Sequence, residues 1–285
     1  MRNLSLGLVA LSAILWGIAG GLGGFLMDKG WDPLIISFYR GAVGLVCLLV
    51  WFLFRPTRLT KLLVLWAIVA GIGVAGNFVF YFISIAESSV AVAATLMYTA
   101  PIFVLVISFV FRLEKPSLFK FGAIAFVIVG IVLLTEVYSI DSNQVTTLGL
   151  AAGLGAGLAY ALFIFGFKYA SDHGEPQGIL MIAFLTFTFI MLFFVDLKDT
   201  VSVVSSPDVW WMILLGVFGA GLSFFLYVIG LKRTSPTSAS IVAMVEPVTA
   251  SLFGFFILSQ QLNVIQMSGM AIILLTVTVL SVKHN

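Results

Sequence analysis

Ser235-Pro236-Thr237-Ser238-Ala239-Ser240-Ile241-Val242-Ala243-Met244-Val245-Glu246-Pro247-Val248-Thr249-Ala250-Ser251, running on to Leu258, is an apolar segment with a carboxylate and a helix-breaking proline half-way along it. Both residues are costly there. A charged side chain near a bilayer centre costs roughly 2.5 to 3.5 kcal/mol on insertion scales. A proline inside a helix removes one backbone hydrogen bond and clashes with the preceding turn. Something in the fold has to offset both.

The same stretch occurs twice. One ungapped step of 146 residues carries Phe78-Val79-Phe80-Tyr81-Phe82-Ile83 onto Phe224-Phe225-Leu226-Tyr227-Val228-Ile229. It also sets Pro101 on Pro247, Ser89 on Ser235, Ala93 on Ala239 and Phe109 on Phe255, with Ala100 where Glu246 stands. A shift of one residue then brings Gly122 onto Gly269. The chain therefore reads as two diverged copies of one unit, 1–140 and 141–285.

With 61% hydrophobic and 9% charged residues, the chain lies far from soluble averages, and it reads as an all-α polytopic membrane protein. The lone Cys47 cannot form an intramolecular disulfide, no metal-ligand cluster stands out, and the dispersed cations give no footprint for nucleic acid. The first apolar run is too long and too rich in glycine for a signal peptide. Asn3-Leu4-Ser5 matches a glycosylation pattern only by chance at the extreme terminus.

A spanning helix needs about 20 apolar residues. Cutting at charge and Pro/Gly clusters predicts ten spans, five per copy: 4–26, 33–54, 62–84, 89–111, 117–136, 147–169, 177–195, 209–230, 236–258 and 264–282. With both termini cytoplasmic, Arg2, Arg55, Arg58, Lys61, Arg112, Lys115, Lys120, Lys168, Lys232, Arg233 and Lys283 all fall inside, against only Lys29 and Lys198 outside. This is the excess that the positive-inside rule requires. His173 and His284 fall at the inner surface, and Lys168 is expected to snorkel to that interface. An odd number of spans per copy makes the copies inverted repeats about an axis in the membrane plane, an arrangement suited to alternating access.

Gly17 with Gly21, Gly20 with Gly24, and Gly149 with Gly153 and Gly157 recur at helix-contact spacing. Tight packing inside one bundle and a sliding surface both fit this spacing, as does a dimer contact.

The paired stretches Ala93-Ala94-Thr95-Leu96-Met97-Tyr98-Thr99-Ala100-Pro101 and Ala239-Ser240-Ile241-Val242-Ala243-Met244-Val245-Glu246-Pro247, with Leu15-Trp16-Gly17 and Phe38-Tyr39-Arg40, resemble the drug/metabolite transporter superfamily. They match its ten-helix branch built from two EamA domains, along nearly the whole chain. The resemblance implies a cytoplasmic-membrane carrier of small organic solutes, often an exporter of amino acids or related metabolites. It also implies a central cavity lined by helices one to four and six to nine, with five and ten outside. A Leu-Gly-Glu-like turn commonly ends the fourth and ninth helices of the family. Leu113-Glu114-Lys115-Pro116 approximates it, whereas Leu258-Ser259-Gln260-Gln261 has lost the acid.

Glu246 is the leading candidate for chemistry: a carboxylate in a dry setting is able to exchange a proton or pair with an amine. Capping the groups freed by Pro247, or a permanent pair with Arg40, is the structural alternative. Arg40, about two turns into the second span, is charged at any accessible pH and needs a partner: a substrate carboxylate, Glu246 or helix-end carbonyls. Trp16, Tyr81, Tyr98, Tyr160 and Tyr227 lie within spans and bring polar handles into an apolar setting. With Asn77 and its repeat mate Ser223 they suit an amphipathic solute, although each alone fits core or belt packing. Pro101 and Pro247 predict kinks or hinges.

No nucleophile–base set, ATP-binding loop or channel filter is evident, and no cofactor is implied. The sequence therefore reads as a secondary carrier of small organic metabolites, with amino acids the favoured substrate and export the favoured direction. A passive channel or a drug-efflux carrier is the alternative. Its partners are the solute, membrane lipid and, as a coupling ion, protons. Proton coupling, exchange and facilitated diffusion are all compatible with these residues, as is any oligomeric state.

Overall fold

In lipid every backbone polar group must be satisfied within the protein, which favours helices. The computed structural model describes residues 2–115, 117–141 and 145–283, and the described residues contain no strand. Pro116 and His284 lie outside them, as do the side chains of Arg2, Asn3 and Lys283.

The first repeat-sized portion comprises α1 (Arg2–Asp28), α2 (Pro33–Phe54), α3 (Lys61–Ala86), α4 (Val90–Met97), α5 (Ala100–Val110) and α6 (Leu118–Thr135). The rest comprises α7 (Thr147–Ser171), α8 (Pro176–Met191), α9 (Leu197–Ser205), α10 (Val209–Gly216), α11 (Ser223–Lys232), α12 (Pro236–Ala243), α13 (Val245–Ile257) and α14 (Val264–Lys283). Caps mark several boundaries that the sequence predicts. Asp32, Thr60, Ser89, Thr146 and Ser235 each accept a hydrogen bond from a backbone N–H in the first turn of the next helix, satisfying groups a helix start leaves open.

Among the described residues nine helical stretches are long and apolar enough to cross a membrane. The expected span over 177–195 is the exception: α8 stops at Met191 after 16 residues, and the chain turns at once. At 1.5 Å per residue that helix covers roughly 24 Å, short of a hydrocarbon core of about 30 Å.

Three expected spans are interrupted. The fourth breaks at Tyr98-Thr99 between α4 and α5, and the ninth at Met244 between α12 and α13. In each case the proline, Pro101 or Pro247, stands in the first turn of the second half, where no i−4 bond is lost. The break thus answers the cost of a mid-span proline. The eighth span passes from α10 through a π-helical segment, Val217–Leu222, into α11. The sequence reading had no signal for this segment, nor for the short amphipathic α9.

Hydrogen bonds sort the connections into two ends of the bundle. At the end carrying the N-terminus, Thr60 Oγ1 donates to the His173 carbonyl at 3.4 Å, Gln177 to the Arg55 carbonyl at 3.2 Å, and Lys120 to Ser235 at 3.2 Å. Lys168 there does not simply reach for the surface: its Nζ donates to the carbonyls of Leu231 (3.0 Å) and Lys232 (2.9 Å), capping the C-terminus of α11. At the other end, Tyr39 donates to the Thr200 carbonyl at 2.8 Å, Thr146 to Glu87 at 2.9 Å and Asn263 to Glu136 at 2.8 Å. Lys29 pairs there with Asp208, which also accepts from Trp31 at 3.0 Å. Lys29 and Trp31 together hold the Asp208 carboxyl below the usual carboxylate range.

The core sits where α3 packs along α7, with α8 against α2 and α3, α1 against α11 and α13, and α6 against α14. Most of the glycines at contact spacing are used inside the bundle, whereas Gly20 and Gly24 line the cavity described below, and Gly24 has no neighbour within 4 Å of an added Cβ. Gly153 and Gly157 face Leu96 and Met97, and Gly17 faces the backbone of Glu246 and Ala250. At the α3–α7 crossing a Cβ added to Gly73 would lie 2.5 Å from the Phe163 amide nitrogen and 2.9 Å from the Ala159 carbonyl oxygen. Backbone cannot move aside cheaply. Gly73→Val is expected to cost about 3 kcal/mol, read as a fall of roughly 10 °C in the unfolding midpoint of the purified protein; an unchanged midpoint would show that the two helices are free to separate.

Candidate functional site

Glu246 lies in the first turn of α13, a 13-residue half-helix that begins in the middle of the bundle. The positive end of that helix favours a carboxylate there, and Tyr160 of α7 donates to Glu246 Oε2 at 3.3 Å. Helix dipole and phenol together answer part of the cost of placing a charge mid-span.

Arg40 of α2 has partners of its own. Its Nε donates to the carbonyl of Gly219 at 2.9 Å, inside the π-helical segment, and its guanidinium lies 5.3 Å from the centroid of the Phe78 ring. A π turn departs from the regular i−4 bonding pattern and is frequent at functional positions. The ring face adds a cation–π attraction. Gly219 also leaves the room required, since a Cβ at that position would lie 3.1 Å from Arg40 Nε.

Arg40 and Glu246 both line one cavity of about 470 Å³. No guanidinium nitrogen comes within 4.0 Å of the Glu246 carboxylate, so the permanent ion pair that the sequence allowed is not formed among the described residues. Two opposite charges thus face one hollow, each hydrogen-bonded to neutral protein groups and each within electrostatic reach of the other. Trp16, Asn77, Tyr81, Tyr98, Tyr160 and Pro247 line the same cavity. Asn77 donates to the Ala156 carbonyl at 3.0 Å. The Trp16 ring packs 4.9 Å from both Phe224 and Tyr227, and its indole N–H is buried with no hydrogen-bond partner among the described residues.

Ser223, Tyr227 and Pro101 do not line it. Ser223 and Tyr227 are fully buried, their hydroxyls without a partner among the described residues, and Tyr227 acts as a packing ring against Trp16 and Phe163. The repeat mates Tyr81 and Tyr227 therefore occupy unequal places, one at the cavity and one behind it. Gly219, Phe78 and Gln260 are not among the candidate residues that the sequence offered.

The cavity runs from the bundle centre to the end opposite the N-terminus, where Met27, Val90 and Gln260 on its wall are exposed. A second hollow of about 570 Å³ lies at the N-terminal end, lined in part by Leu8, Trp51, Arg55 and Ile229, and none of the candidate residues reaches it. At that end Glu114 joins the chain after α5 to the start of α12. Its carboxylate pairs with Lys120 and accepts from the Thr237 N–H at 3.1 Å and the Thr237 hydroxyl at 3.0 Å. Burial pushes the Glu114 carboxyl up, but Lys120 and Thr237 outweigh burial and hold it below the usual range.

An all-helical, apolar bundle around a central charged cavity defines a multi-pass protein of the cell membrane, with a site for a small solute. Residues 3–136 and 147–282 each match the EamA-like transporter family, and the chain belongs to that family, within the drug/metabolite transporter superfamily. It is 29% identical over 267 residues to an "uncharacterized transporter" of Archaeoglobus fulgidus, covering 93% of this chain and 92% of that one. It is 25% identical over 267 residues to the threonine/homoserine exporter RhtA of Escherichia coli, covering 88% and 84%. A solved crystal structure, 17% identical, superposes with a TM-score of 0.76 over 98% of this chain and 97% of that chain, a likeness of fold.

Proposed function

We propose that this transporter is a secondary carrier of amino acids or closely related metabolites, working by alternating access with export as its direction. The observation that carries this reading is the pair Arg40 and Glu246, facing one cavity without pairing to each other. An α-amino acid at neutral pH carries an ammonium and a carboxylate on one carbon. Its carboxylate suits the planar fork of Arg40, its ammonium suits Glu246, and the aromatic wall takes the side chain. The name of the RhtA relative agrees with this class. Glu246 is equally the group at which a proton would exchange for the ammonium, which makes proton coupling part of the proposal. The reading is of a carrier and not of an enzyme.

The proposal includes ten crossings in two inverted repeats, 1–140 and 141–285, with both termini cytoplasmic. Packing supports the inversion. α7 meets α3, α4 and α5 as α1 meets the π-helical segment with α11, then α12 and α13, while α2 meets α8 and α6 meets α14. These are the exchanged contacts that a two-fold axis would generate. The two ends defined above support this sidedness, since Arg55, Lys61, Lys120, Lys168 and Lys232 gather at one of them. α8 then crosses as a short helix, which local thinning or tilting of the bilayer accommodates.

Counterflow into proteoliposomes loaded with a panel of amino acids tests the carrier. Saturable accumulation of labelled substrate driven by unlabelled substrate inside is expected; flux without counterflow would make the protein a channel, and no flux of any amino acid would remove the substrate class.

A further inference from the structure

The two ends of the cavity-lining half-helices are held by related residues in opposite states. After α5 the chain folds back, so that the Glu114 N–H faces the Ser108 carbonyl at 3.4 Å and the Ser108 hydroxyl donates to Glu114 Oε1 at 3.4 Å. From there the carboxylate reaches the first turn of α12 through both donors of Thr237, and Lys120, its ion-pair partner, reaches the cap residue Ser235. Both charged side chains are only 11% exposed. One carboxylate thus ties α5 and α6 to the start of α12, where the helix dipole strengthens its hold.

The 146-residue step carries Ser108 to Gly254, Glu114 to Gln260, Ser235 to Ser89 and Thr237 to Ala91. Gln260 stands over its own helix in the same way: its N–H donates to the Gly254 carbonyl at 3.0 Å and its side chain lies against Gly254. Its amide, however, makes no hydrogen bond to α4 among the described residues. α4 shows no packing on α13 or α14 to match that of α12 on α5 and α6. Instead Gly254, Leu258 and Gln260 line the cavity mouth together with Val90, which is 59% exposed.

We infer that Glu114, clamped between Lys120 and the α12 N-terminus, is the inner latch of the carrier, shut in this structure, and that Gln260 occupies the matching outer latch, which stands open. The inference rests on the alternating-access reading above. The two latches differ in strength. A charged carboxylate with an ammonium partner closes the inner side, whereas a neutral amide is all that the outer side offers, so the empty carrier rests facing outward. Swapping the chemistry between the two positions should move that balance.

The test uses the full chain in membrane vesicles of both orientations, with Cys47→Ser and a reporter, Ser251→Cys, on the cavity wall. A membrane-impermeant maleimide is added from one side at a time. Fast labelling from outside is expected for the otherwise native chain. E114Q should slow outside labelling and raise inside labelling, each by about fivefold or more. Q260E, which supplies a carboxylate for the α4 N-terminus, should slow outside labelling without weakening the inner latch. If E114Q fails to reach the membrane, Q260E decides alone. Outside labelling that is unchanged by Q260E, or by a well-folded E114Q, overturns the latch. Because labelling needs no substrate, the same vesicles separate the two readings. Intact counterflow with no labelling shift sinks the latch alone, and a labelling shift with no counterflow supports the latch while removing the amino-acid reading.

Discussion

Glu246→Gln is expected to reduce amino-acid counterflow by about 100-fold or more while the protein still reaches the membrane at native levels. Gln keeps the shape of the side chain and still accepts from the Tyr160 hydroxyl, now 3.3 Å from Oε2. What it loses is the charge that, in the proposed mechanism, attracts the substrate ammonium and exchanges a proton. The cost of a buried charge is removed as well, so the unfolding midpoint should hold or rise. Two partial results carry information. Exchange that survives while stimulation by a pH gradient is lost would assign the residue to proton coupling alone. Full, gradient-stimulated activity would remove Glu246 from the mechanism and return it to a capping role beside Pro247.

Arg40→Gln is expected to weaken substrate binding by about 100-fold, and Arg40→Lys by about tenfold, both seen as a higher half-saturation concentration in counterflow. Lys keeps a charge but not the planar fork that lies by Phe78 while donating to the Gly219 carbonyl. A purely structural arginine would give a different pattern, since it would lower the amount of folded protein without changing affinity. Substrate analogues separate the two further. If the guanidinium binds the α-carboxylate, an amino-acid amide is already a poor substrate for the native carrier, and Arg40→Gln should leave its transport nearly unchanged. An amide that loses as much as the free amino acid would contradict the assignment.

Much of this protein is legible in one dimension because lipid leaves a chain few choices. Apolar runs of spanning length, and caps such as Ser89, Thr146 and Ser235, place most helices to within a few residues. A repeat that sets Pro101 on Pro247 predicts two interrupted helices, and the structure interrupts both. The apolar stretch around Gly219 gives no such warning. Its π-helical turn forms where Arg40 from α2 meets it, and that meeting depends on packing between segments 179 residues apart. The length of α8 was misjudged for a related reason: the apolar residues after Met191 read as more helix, although the chain turns there towards α9.

The site divides along the same line. Glu246 and Arg40 stand out in the sequence because a charge in an apolar segment demands compensation wherever the segment lies, and that cost is a property of the residue and its neighbours along the chain. Which groups compensate is a matter of distance between helices. Burial of Tyr227 and exposure of Tyr81 to the cavity, the missing Arg40–Glu246 pair, and the clasp of Glu114 on Thr237 are all contacts across the bundle. Two halves of nearly equivalent pattern permit either mouth to be closed. The packing of α12 on α5 and α6, and the cavity mouth at Val90 and Gln260, are decided only by how the helices meet.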